Sequence, residues 1–553
     1  MVSILLAQKY NRKLTETISS GIYLFMLLAY ILGITGHINH IILLLVMYET
    51  AGFLAVIYLC AVRKTDVRGP FSDAGNLVFL VLLILLWFLS LHMRVTNFDD
   101  FHSWAITPKD MFYVDGLPTG GMASTFYRDY FPTVYIMDFL IFKVLGRFTE
   151  SAMFFVLWAL MLVSLTEFLH YREDDAKISY ICRVAAGIML PFLVSFQFLH
   201  CLGTDILATT IFGSALVNIM EKPKNGNKDE FQYIRIILTV TILGMMKTTS
   251  LILSMVCIGV YFVRCTDFKR LRSWLEFGLL SIVTGMFWLS WKIFCRLRGN
   301  TTYLSDNLEK NLSSGHSGLP VYAVSTAKEF VLKLFTYGLN DGPAGLSAAV
   351  ILLIFVVSFL IYLRRTGSAK EDRRALAVII MGMVGYLLVM LYVYLFVFEE
   401  WEALSLSSYD RYISTYFGAM MYLALYLILR TGLKPLWLGP AFILVLASTV
   451  NYGYIARTLV PSGYTEEYGS VIAEIDSIQE EFINAAGEIP GYGESIVIVD
   501  DSDDQLRAKV LPYAAVPGVT RLIRPSDDGK MPDEREIVRA AEEYNARIVD
   551  LRR

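Results

Sequence analysis

The sequence is poor in charged residues. Only 18% of its residues are Asp, Glu, Lys or Arg, whereas 55% are hydrophobic, and the mean hydropathy is +0.52. A soluble protein of 553 residues needs more polar residues than this to cover its surface. The composition therefore excludes an ordinary soluble protein and predicts a polytopic membrane protein.

Cysteines are few, and their spacing excludes two kinds of site. No CxxC pair is present, so neither structural zinc nor a disulfide scaffold is expected. The six cysteines lie in or beside apolar segments, at Cys60, Cys182, Cys201, Cys257, Cys265 and Cys295. The sequence also lacks a GxGxxG motif after a strand, a Walker A motif and a clustered basic footprint. A nucleotide-binding loop and a nucleic-acid partner are therefore not expected.

Long apolar runs dominate the sequence instead. About 20 apolar residues cross a bilayer as a helix. Thirteen candidate spans result, at 18–36, 38–62, 76–93, 149–169, 179–198, 205–221, 233–247, 249–263, 275–295, 346–363, 375–398, 412–430 and 436–457. The basic start leads into a full-length span without a small-residue cleavage site, so we expect the first span to be retained as an anchor. The short spans 233–247 and 249–263 are typical of helices that pack within protein or end at a cavity.

Basic residues predict the orientation of these spans. Residues that recur at every second connection are Arg63, Lys64, Arg68, Arg172, Lys177, Lys222, Lys224, Arg264, Lys269, Arg364, Arg365, Arg430 and Lys434. Because such residues mark cytoplasmic loops, the N-terminus is expected inside and the C-terminus outside. Segment 133–146 is short and contains Asp138 and Lys143, which indicates an interfacial helix on the outer face. The expected transmembrane domain, 1–457, then has two sizeable outer loops, 94–148 and 296–345.

The last part of the chain, 458–553, is predicted to be a small extracytoplasmic α/β domain. Helical spacing covers 468–482, strands are expected at 495–500 and 519–524, and 534–551 predicts a helix followed by a strand. This domain has no cysteine, which favours a bacterial plasma membrane.

An acidic run ends the first of these expected strands. Asp500, Asp501, Asp503 and Asp504 lack the glycine and the distal glutamate of a calcium loop. We therefore expect a solvated turn there rather than a metal site.

Two adjacent acids, Asp99 and Asp100, follow the third span in the stretch "TNFDDFHSW". They precede aromatic and small residues, including Phe101 and Trp104, that suit a helix lying along the interface. The acids could be a solvated helix start, where negative charge favours the helix dipole. They could equally be a general base beside a partner for a metal or substrate.

Other charged residues return to the same predicted level. Asp205 opens a span and could cap it. Lys247 lies between the two short spans, where it either snorkels to the surface or meets an anion. Arg411 opens the twelfth span and could simply pair with Asp410. His102 is expected to be an interfacial packing residue rather than a metal ligand, because no second His or Cys lies at ligand spacing. Acids and cations at one level suit a reaction in which a carboxylate takes a proton from a hydroxyl while cations stabilise a departing phosphate.

The order of these elements resembles the C-type (GT-C) superfamily of membrane glycosyltransferases, which includes aminoarabinose transferases, protein mannosyltransferases and oligosaccharyltransferase catalytic subunits. The resemblance covers about residues 76–460. It rests on "FDDFHSWA" with "DGLP" after it, "FPTVYIMDFLIFKVLGRFTESA", the "GTD" before a span, "MMKTTSLIL" and the late "DRY". The acid pair is Asp-Asp where many members have Asp-Glu, and "MMKTT" lacks the glycine common after the lysine, so the subfamily stays open.

The resemblance implies a GT-C-like helical fold and a set of residue roles. Asp99 would be the catalytic base for inverting attack on the anomeric carbon, and Asp100 would orient the base or acceptor or hold a divalent cation. Asp205 would be a second acidic element across the cavity. Lys247 and Arg411 would bind the phosphate of a polyprenyl-phosphate sugar. Family members differ in metal dependence; if Mg or Mn is used, the three acids would hold it.

The implied partners are the lipid bilayer, a polyprenyl-phosphate-linked sugar donor and an acceptor hydroxyl on a cell-envelope glycan, lipid or protein at the outer face. His102, Trp104 and Tyr412 are the expected substrate-binding residues. A transporter or flippase of lipid-linked glycans is the alternative, since many spans with intramembrane charges also suit carriage. Against it, the charges cluster at one level and no inverted repeat is found. A third hypothesis is a non-catalytic assembly or sensor protein that presents 458–553.

Overall fold

The structure is a computed structural model and is mostly helical, with one three-stranded sheet near the C-terminus. It describes residues 1–63, 68–119, 125, 127–170, 177–194, 197–221, 229–267, 269–300, 319–339, 345–367, 370–430, 449–525 and 530–552. The first helices are α1 (Val2–Tyr10), α2 (Leu14–Ile34), α3 (Ile41–Arg63), α4 (Ala74–Ser90), α5 (Ile106–Val114), α6 (Thr133–Leu145), α7 (Glu150–Ser164) and α8 (Thr166–Leu169). A π-helix, Asp100–Trp104, precedes α5.

The middle of the chain continues the helical bundle, and the end of the chain adds the sheet. The middle helices are α9 (Lys177–Val194), α10 (Asp205–Met220), α11 (Glu230–Gly244), α12 (Ser250–Cys265), α13 (Leu271–Arg298), α14 (Ala323–Thr336), α15 (Ala348–Thr366), α16 (Lys370–Phe396), α17 (Glu400–Ser405) and α18 (Tyr409–Arg430). The last elements are α19 (Tyr452–Leu459), α20 (Pro461–Ala486), β1 (Ser495–Val499), α21 (Gln505–Ala515), β2 (Val519–Ile523), α22 (Glu534–Glu543) and β3 (Arg547–Asp550).

Apolar helices confirm the membrane character of the chain. Within the described residues, six helices are long and apolar enough to cross a membrane: Leu14–Ile34, Ile38–Val62, Leu271–Arg298, Ala348–Thr366, Lys370–Phe396 and Tyr409–Arg430. Shorter helices occupy most of the other expected spans, and most of the expected span 436–457 lies outside the described residues. Thirteen crossings therefore stay a prediction, as does the orientation.

The centre of the bundle is built around α10, whose residues are all buried. It packs along α18 and against α11, α12 and α7. Gly213 permits the close approach to α18, since a Cβ there would lie 2.4 Å from Cγ of Tyr422. A helix of 16 residues is about 24 Å long, shorter than a hydrocarbon core of about 30 Å. Because α10 is enclosed by other helices, its length does not have to match the lipid.

Charged residues at the C-terminal end of α10 are paired with one another. Arg235 contacts Glu167 and Glu221, at 2.9 and 2.5 Å. Arg264 pairs with Asp372 at 2.9 Å and donates to backbone carbonyls that end α10. Removing one partner would leave a buried charge uncompensated, so these pairs hold the helix ends together.

Helix α6 falls where the sequence predicted a helix, between Thr133 and Leu145. It packs against α5, α7 and α2, and most of its residues are buried in protein. The Thr133 hydroxyl donates to the Met245 carbonyl at 2.8 Å, which ties α6 to the end of α11. An interfacial position for α6 stays a prediction.

The C-terminal unit contains a parallel sheet in the order β2-β1-β3. The helix and strands expected from the sequence are found, and α20 extends beyond the expected 468–482 to Pro461 and Ala486. Proline suits the first turn of a helix because the missing N–H has no intrahelical partner there. Helix α21, a short helix that contains Pro512, was not predicted from the sequence.

Candidate functional site

The adjacent acids lie at the start of the π-helix and occupy different environments. Asp99 is the residue before Asp100–Trp104, and the Ala105 N–H donates to the Asp100 carbonyl at 2.8 Å. The Asp99 side chain is 45% exposed, whereas Asp100 is fully buried. Single π-turns within helices are frequent at functional sites. Asp99 is therefore the member of the pair that a substrate can reach.

Asp100 connects the π-helix to the loop before α10. The Leu202 N–H lies 3.0 and 3.1 Å from its two carboxyl oxygens, and the Cys201 thiol donates to Oδ1 at 3.5 Å. Burial raises the pKa of Asp100 well above its ordinary value, which favours the protonated acid. These contacts suit a carboxyl that orients its neighbours better than one that takes up a proton during a reaction.

Asp99 belongs to an ionic cluster assembled from four parts of the chain. The Arg411 Nη1 donates to Asp99 Oδ2 at 2.8 Å, and its Nε lies 3.3 Å from Asp205 Oδ2. The Lys247 Nζ donates to Asp205 Oδ1 at 2.5 Å. We call Asp99, Arg411, Asp205 and Lys247 the four-charge cluster. It alternates acid and base, so each charge contacts at least one of opposite sign.

Each member is positioned by the end of a helix. Arg411 lies in the first turn of α18, and Lys247 lies between α11 and α12. Asp205 is the first residue of α10 and follows the N-cap residue Thr204, whose side chain makes no capping hydrogen bond. Asp205 itself accepts from Lys247 through Oδ1 and lies near Arg411 through Oδ2. The capping role that the sequence left open for Asp205 is thus replaced by ion pairs.

Aromatic rings flank the two cations. The Lys247 Nζ lies 5.3 Å from the ring centre of Trp104 and 5.8 Å from that of Tyr412. The Arg411 Cζ lies 5.3 Å from the Tyr412 ring, and Nη2 donates to the Tyr412 hydroxyl at 3.4 Å. Tyr130 packs on Trp104 with ring centres 5.2 Å apart. These contacts are within the range of cation–π attraction and restrict where the two cations can move.

His102 lies on the same π-helix but contacts different groups. Its ring packs edge-to-face on Phe98, with centres 5.0 Å apart, and the ring is buried. Burial and the positive charge of Lys509 lower the pKa of His102 to about 3, against a smaller opposing effect of Asp99. The imidazole is therefore neutral near pH 7, and the interfacial position and substrate-binding role expected for His102 stay predictions.

Each of the three acids contacts other groups of the protein in this arrangement. Asp99 and Asp205 are paired with Arg411 and Lys247, and Asp100 accepts from Leu202. Among the described residues, no group of three or more His, Cys, Asp or Glu side chains is placed to hold a metal ion. Magnesium or manganese at these acids stays a prediction from the resemblance.

Two cavities differ in their relation to this cluster. One of about 10 Å³, with room for about one water molecule, lies beside the cluster and is lined by Phe198, Cys201, Gly203, Asp205, Ile206, Arg411 and Ser414. A larger one, about 470 Å³, lies at the N-terminal end of α11, and its Arg264 and Arg272 are paired with acids. We place the candidate site at the small cavity, because Asp205 and Arg411 of the four-charge cluster line it; the larger cavity lies away from this cluster.

The structure thus brings Asp99, Asp205, Lys247 and Arg411 together, with Trp104 and Tyr412 against the cations. Sequence reasoning missed the loop that binds Asp100 and the contact of Tyr130 with Trp104. The sequence offered one signal for this loop: Cys201 and Leu202 directly precede the "GTD" motif that ends at Asp205. Comparison of this chain with family models, with curated proteins and with solved structures finds no match.

Proposed function

We propose that the protein is an inverting membrane glycosyltransferase of the GT-C type. It would transfer a sugar from a polyprenyl-phosphate carrier to a hydroxyl acceptor at the outer face of the membrane. The observation that supports this most is the four-charge cluster, in which the half-exposed Asp99 carboxylate shares the Arg411 guanidinium with Asp205, and Asp205 in turn pairs with Lys247. A reaction that removes a proton and releases a phosphate needs both a base and cations.

In the proposed reaction Asp99 accepts the proton of the acceptor hydroxyl. The acceptor oxygen forms a bond to the anomeric carbon from the face opposite the phosphate, while the bond from that carbon to the phosphate oxygen breaks. The electron pair of this bond leaves with the polyprenyl phosphate, and Lys247 and Arg411 stabilise the negative charge that develops. Sugar configuration inverts, and the proton remains on Asp99 until it passes to solvent, which its 45% exposed side chain allows.

The ion pairs suggest how donor binding would prepare the base. A phosphate that entered the cluster would compete with Asp99 and Asp205 for Arg411 and Lys247. Donor binding would thus release the Asp99 carboxylate from Arg411 and leave it free to accept a hydrogen bond from the acceptor hydroxyl.

The decisive experiment is transfer by purified protein in proteoliposomes, with a labelled polyprenyl-phosphate sugar. The Asp99→Asn change should abolish covalent transfer and leave the Tm near that of wild type, because the side chain is half exposed. The matched control is Asp115→Asn, an exposed acid after α5 whose left-handed backbone (φ 56°) an asparagine tolerates. That variant should retain transfer.

The same assay separates the other hypotheses. Translocation of the labelled donor without covalent transfer would indicate a carrier. Absence of both in the wild-type protein would favour an assembly or sensor role for the chain. If the wild-type protein transfers sugar and Asp99→Asn transfers it equally well, the assignment of Asp99 as the base is refuted.

A further inference from the structure

The C-terminal unit packs directly on the π-helix that follows Asp99. Tyr513 of α21 contacts Phe101 edge-to-face, with ring centres 5.1 Å apart. One turn earlier on α21, the Lys509 Nζ lies 5.0 Å from the ring centre of Phe98. The residues on both sides of the acid pair therefore contact one helix that is more than 400 residues away in the chain.

Tyr513 is the centre of this contact. It is almost completely buried, and its hydroxyl donates to Glu150 Oε1 at 2.8 Å. The Lys109 ammonium donates to the Tyr513 carbonyl at 2.7 Å and lies 4.0 Å from the centre of its ring. Lys109 belongs to α5, which directly follows the π-helix. The C-terminal flank of the acid pair is therefore attached to α21 by both edge-to-face ring packing and hydrogen bonding.

A second set of contacts holds the N-terminal flank. Glu150 also accepts from the Arg94 Nε at 3.2 Å and from the Val95 N–H at 2.9 Å. The Arg94 guanidinium contacts both carboxylate oxygens of Asp476 in α20, at 2.7 and 3.3 Å. The Tyr464 hydroxyl accepts from the Arg94 N–H at 3.1 Å and donates to the Arg94 carbonyl at 3.0 Å. Glu150 thus joins the two flanks through one carboxylate.

The environment of these groups makes the contact sensitive to the loss of any partner. Burial lowers the pKa of Lys109 to about 8, despite the opposing charge of Glu150. A buried hydrogen-bonding group that loses its partner costs more than the hydrogen bond itself contributes. Since α21 contacts both Phe98 and Phe101, its displacement would remove packing on each side of Asp99.

We propose that Tyr513 and Lys109 are positioning residues, and that docking of α21 on the π-helix fixes the backbone that carries Asp99. The C-terminal unit would then be a structural part of the site, in addition to any role in binding an acceptor. The docking claim depends on geometry alone, whereas its consequence for transfer rests on the proposed function.

The test compares Tyr513→Phe with Tyr544→Phe in the full-length protein in detergent micelles. Tyr513→Phe keeps the ring on Phe101 and removes the hydroxyl that donates to Glu150, and Tyr544 is an exposed tyrosine of the same unit. Amide hydrogen exchange of the peptide spanning 97–105 should become about fivefold faster in Tyr513→Phe, as expected for loss of one net hydrogen bond. It should stay at the wild-type rate in Tyr544→Phe. Lys109→Gln should accelerate exchange in the same peptide by removing the other link.

Transfer kinetics supply the second readout. Tyr513→Phe should lower kcat and leave the donor KM unchanged, because Lys247 and Arg411 make no described contact with Tyr513. If Tyr513→Phe has the same exchange rate and the same kcat as Tyr544→Phe, the proposal is overturned. If exchange in Tyr513→Phe becomes faster but its kcat is unchanged, the positioning role is overturned. If the wild-type protein transfers no sugar, the proposed function fails, but faster exchange in Tyr513→Phe would still support docking and unchanged exchange would refute it.

Discussion

Adjacent acids with the same side chain can lie in opposite environments, as Asp99 and Asp100 do. Asp99 contacts Arg411 and remains half exposed, while Asp100 is enclosed and accepts from Leu202. The sequence placed both at one expected membrane level but could not distinguish them. The difference depends on the loop before α10, which is about 100 residues away and supplies the donors for Asp100.

Arg411 should be irreplaceable by lysine. A guanidinium presents several donors in a rigid fork, so Arg411 can contact Asp99 and Asp205 together, whereas one ammonium cannot reproduce both contacts. We expect Arg411→Lys to reduce kcat/KM for transfer by roughly 10- to 100-fold, as for a lost hydrogen bond between charged groups. Steady-state kinetics in proteoliposomes measure this. Arg430→Lys, at the other end of α18, is the control, and equal activity of the two variants would contradict the bridging role.

Burial of His102 should lower the stability of the folded protein at acidic pH. Its pKa of about 3 in the folded protein lies below its ordinary value of 6.5, mainly because the ring is buried. Between these values the unfolded chain binds more protons, so the free energy of unfolding falls as the pH decreases from 6.5 toward 3. In His102→Gln the fall in Tm through this window should be shallower than in wild type. The exposed His40, changed to Gln as a control, should leave the wild-type slope, and an unchanged slope in His102→Gln would refute the assignment.

At the scale of elements, most helices were predictable because apolar runs of the right length identify them. The π-helix was not, since its wide turn is stabilised by tertiary contacts of Asp100 and Phe101 rather than by any local pattern. Helix α21 was not predicted, because the segment is short and contains Pro512, and proline is disfavoured in the interior of a helix. The convergence of Lys247 and Arg411 on Asp205 was expected only as a shared level, since spacing along the chain does not define distances between helices.

The close packing of α10 on α18 can be tested at Gly213. A Cβ at this position would lie 2.4 Å from Tyr422, whose hydroxyl is held by the Ser164 carbonyl at 2.8 Å, so the ring cannot easily move. Gly213→Ala should destabilise the protein by about 1–3 kcal/mol, as overpacking does. A thermal unfolding assay in detergent should show a lower Tm.

A matched glycine provides the control. A Cβ at Gly278 of α13 meets no heavy atom within 4 Å, so Gly278→Ala should keep or raise the Tm, because alanine favours the helix by up to about 1 kcal/mol. If Gly213→Ala and Gly278→Ala change the Tm equally, close packing of α10 on α18 does not limit the stability of the protein.

At the scale of the molecule, α10 separates two groups of charges. Asp205 is the first residue of α10 and pairs with Lys247, whereas Arg264 donates to the carbonyls of the last turn of α10. An apolar layer between two charged ends is expected of a membrane-embedded bundle. Hydropathy predicted this layering, but it could not predict which helices are enclosed by others, because α10 and the exposed α3 are similarly apolar in sequence.

Basic residues at alternate connections predict the orientation, and the number of crossings decides whether two positions lie on the same face; labelling can measure both. Thirteen spans place the N-terminal side of the bundle and the C-terminal unit on opposite faces of the membrane. Cysteines introduced at Ser72, an exposed residue between α3 and α4, and at Glu488, an exposed residue after α20, report the two faces as labelling above that of the six native cysteines in the wild-type protein. An impermeant maleimide added outside intact cells should label Glu488→Cys, and Ser72→Cys should react only after permeabilisation. Both substitutions lie away from the four-charge cluster, so each variant should retain transfer in proteoliposomes. If both cysteines react from the same side, the number of crossings between them is even, and the four-charge cluster need not face the cell exterior as the proposed reaction requires.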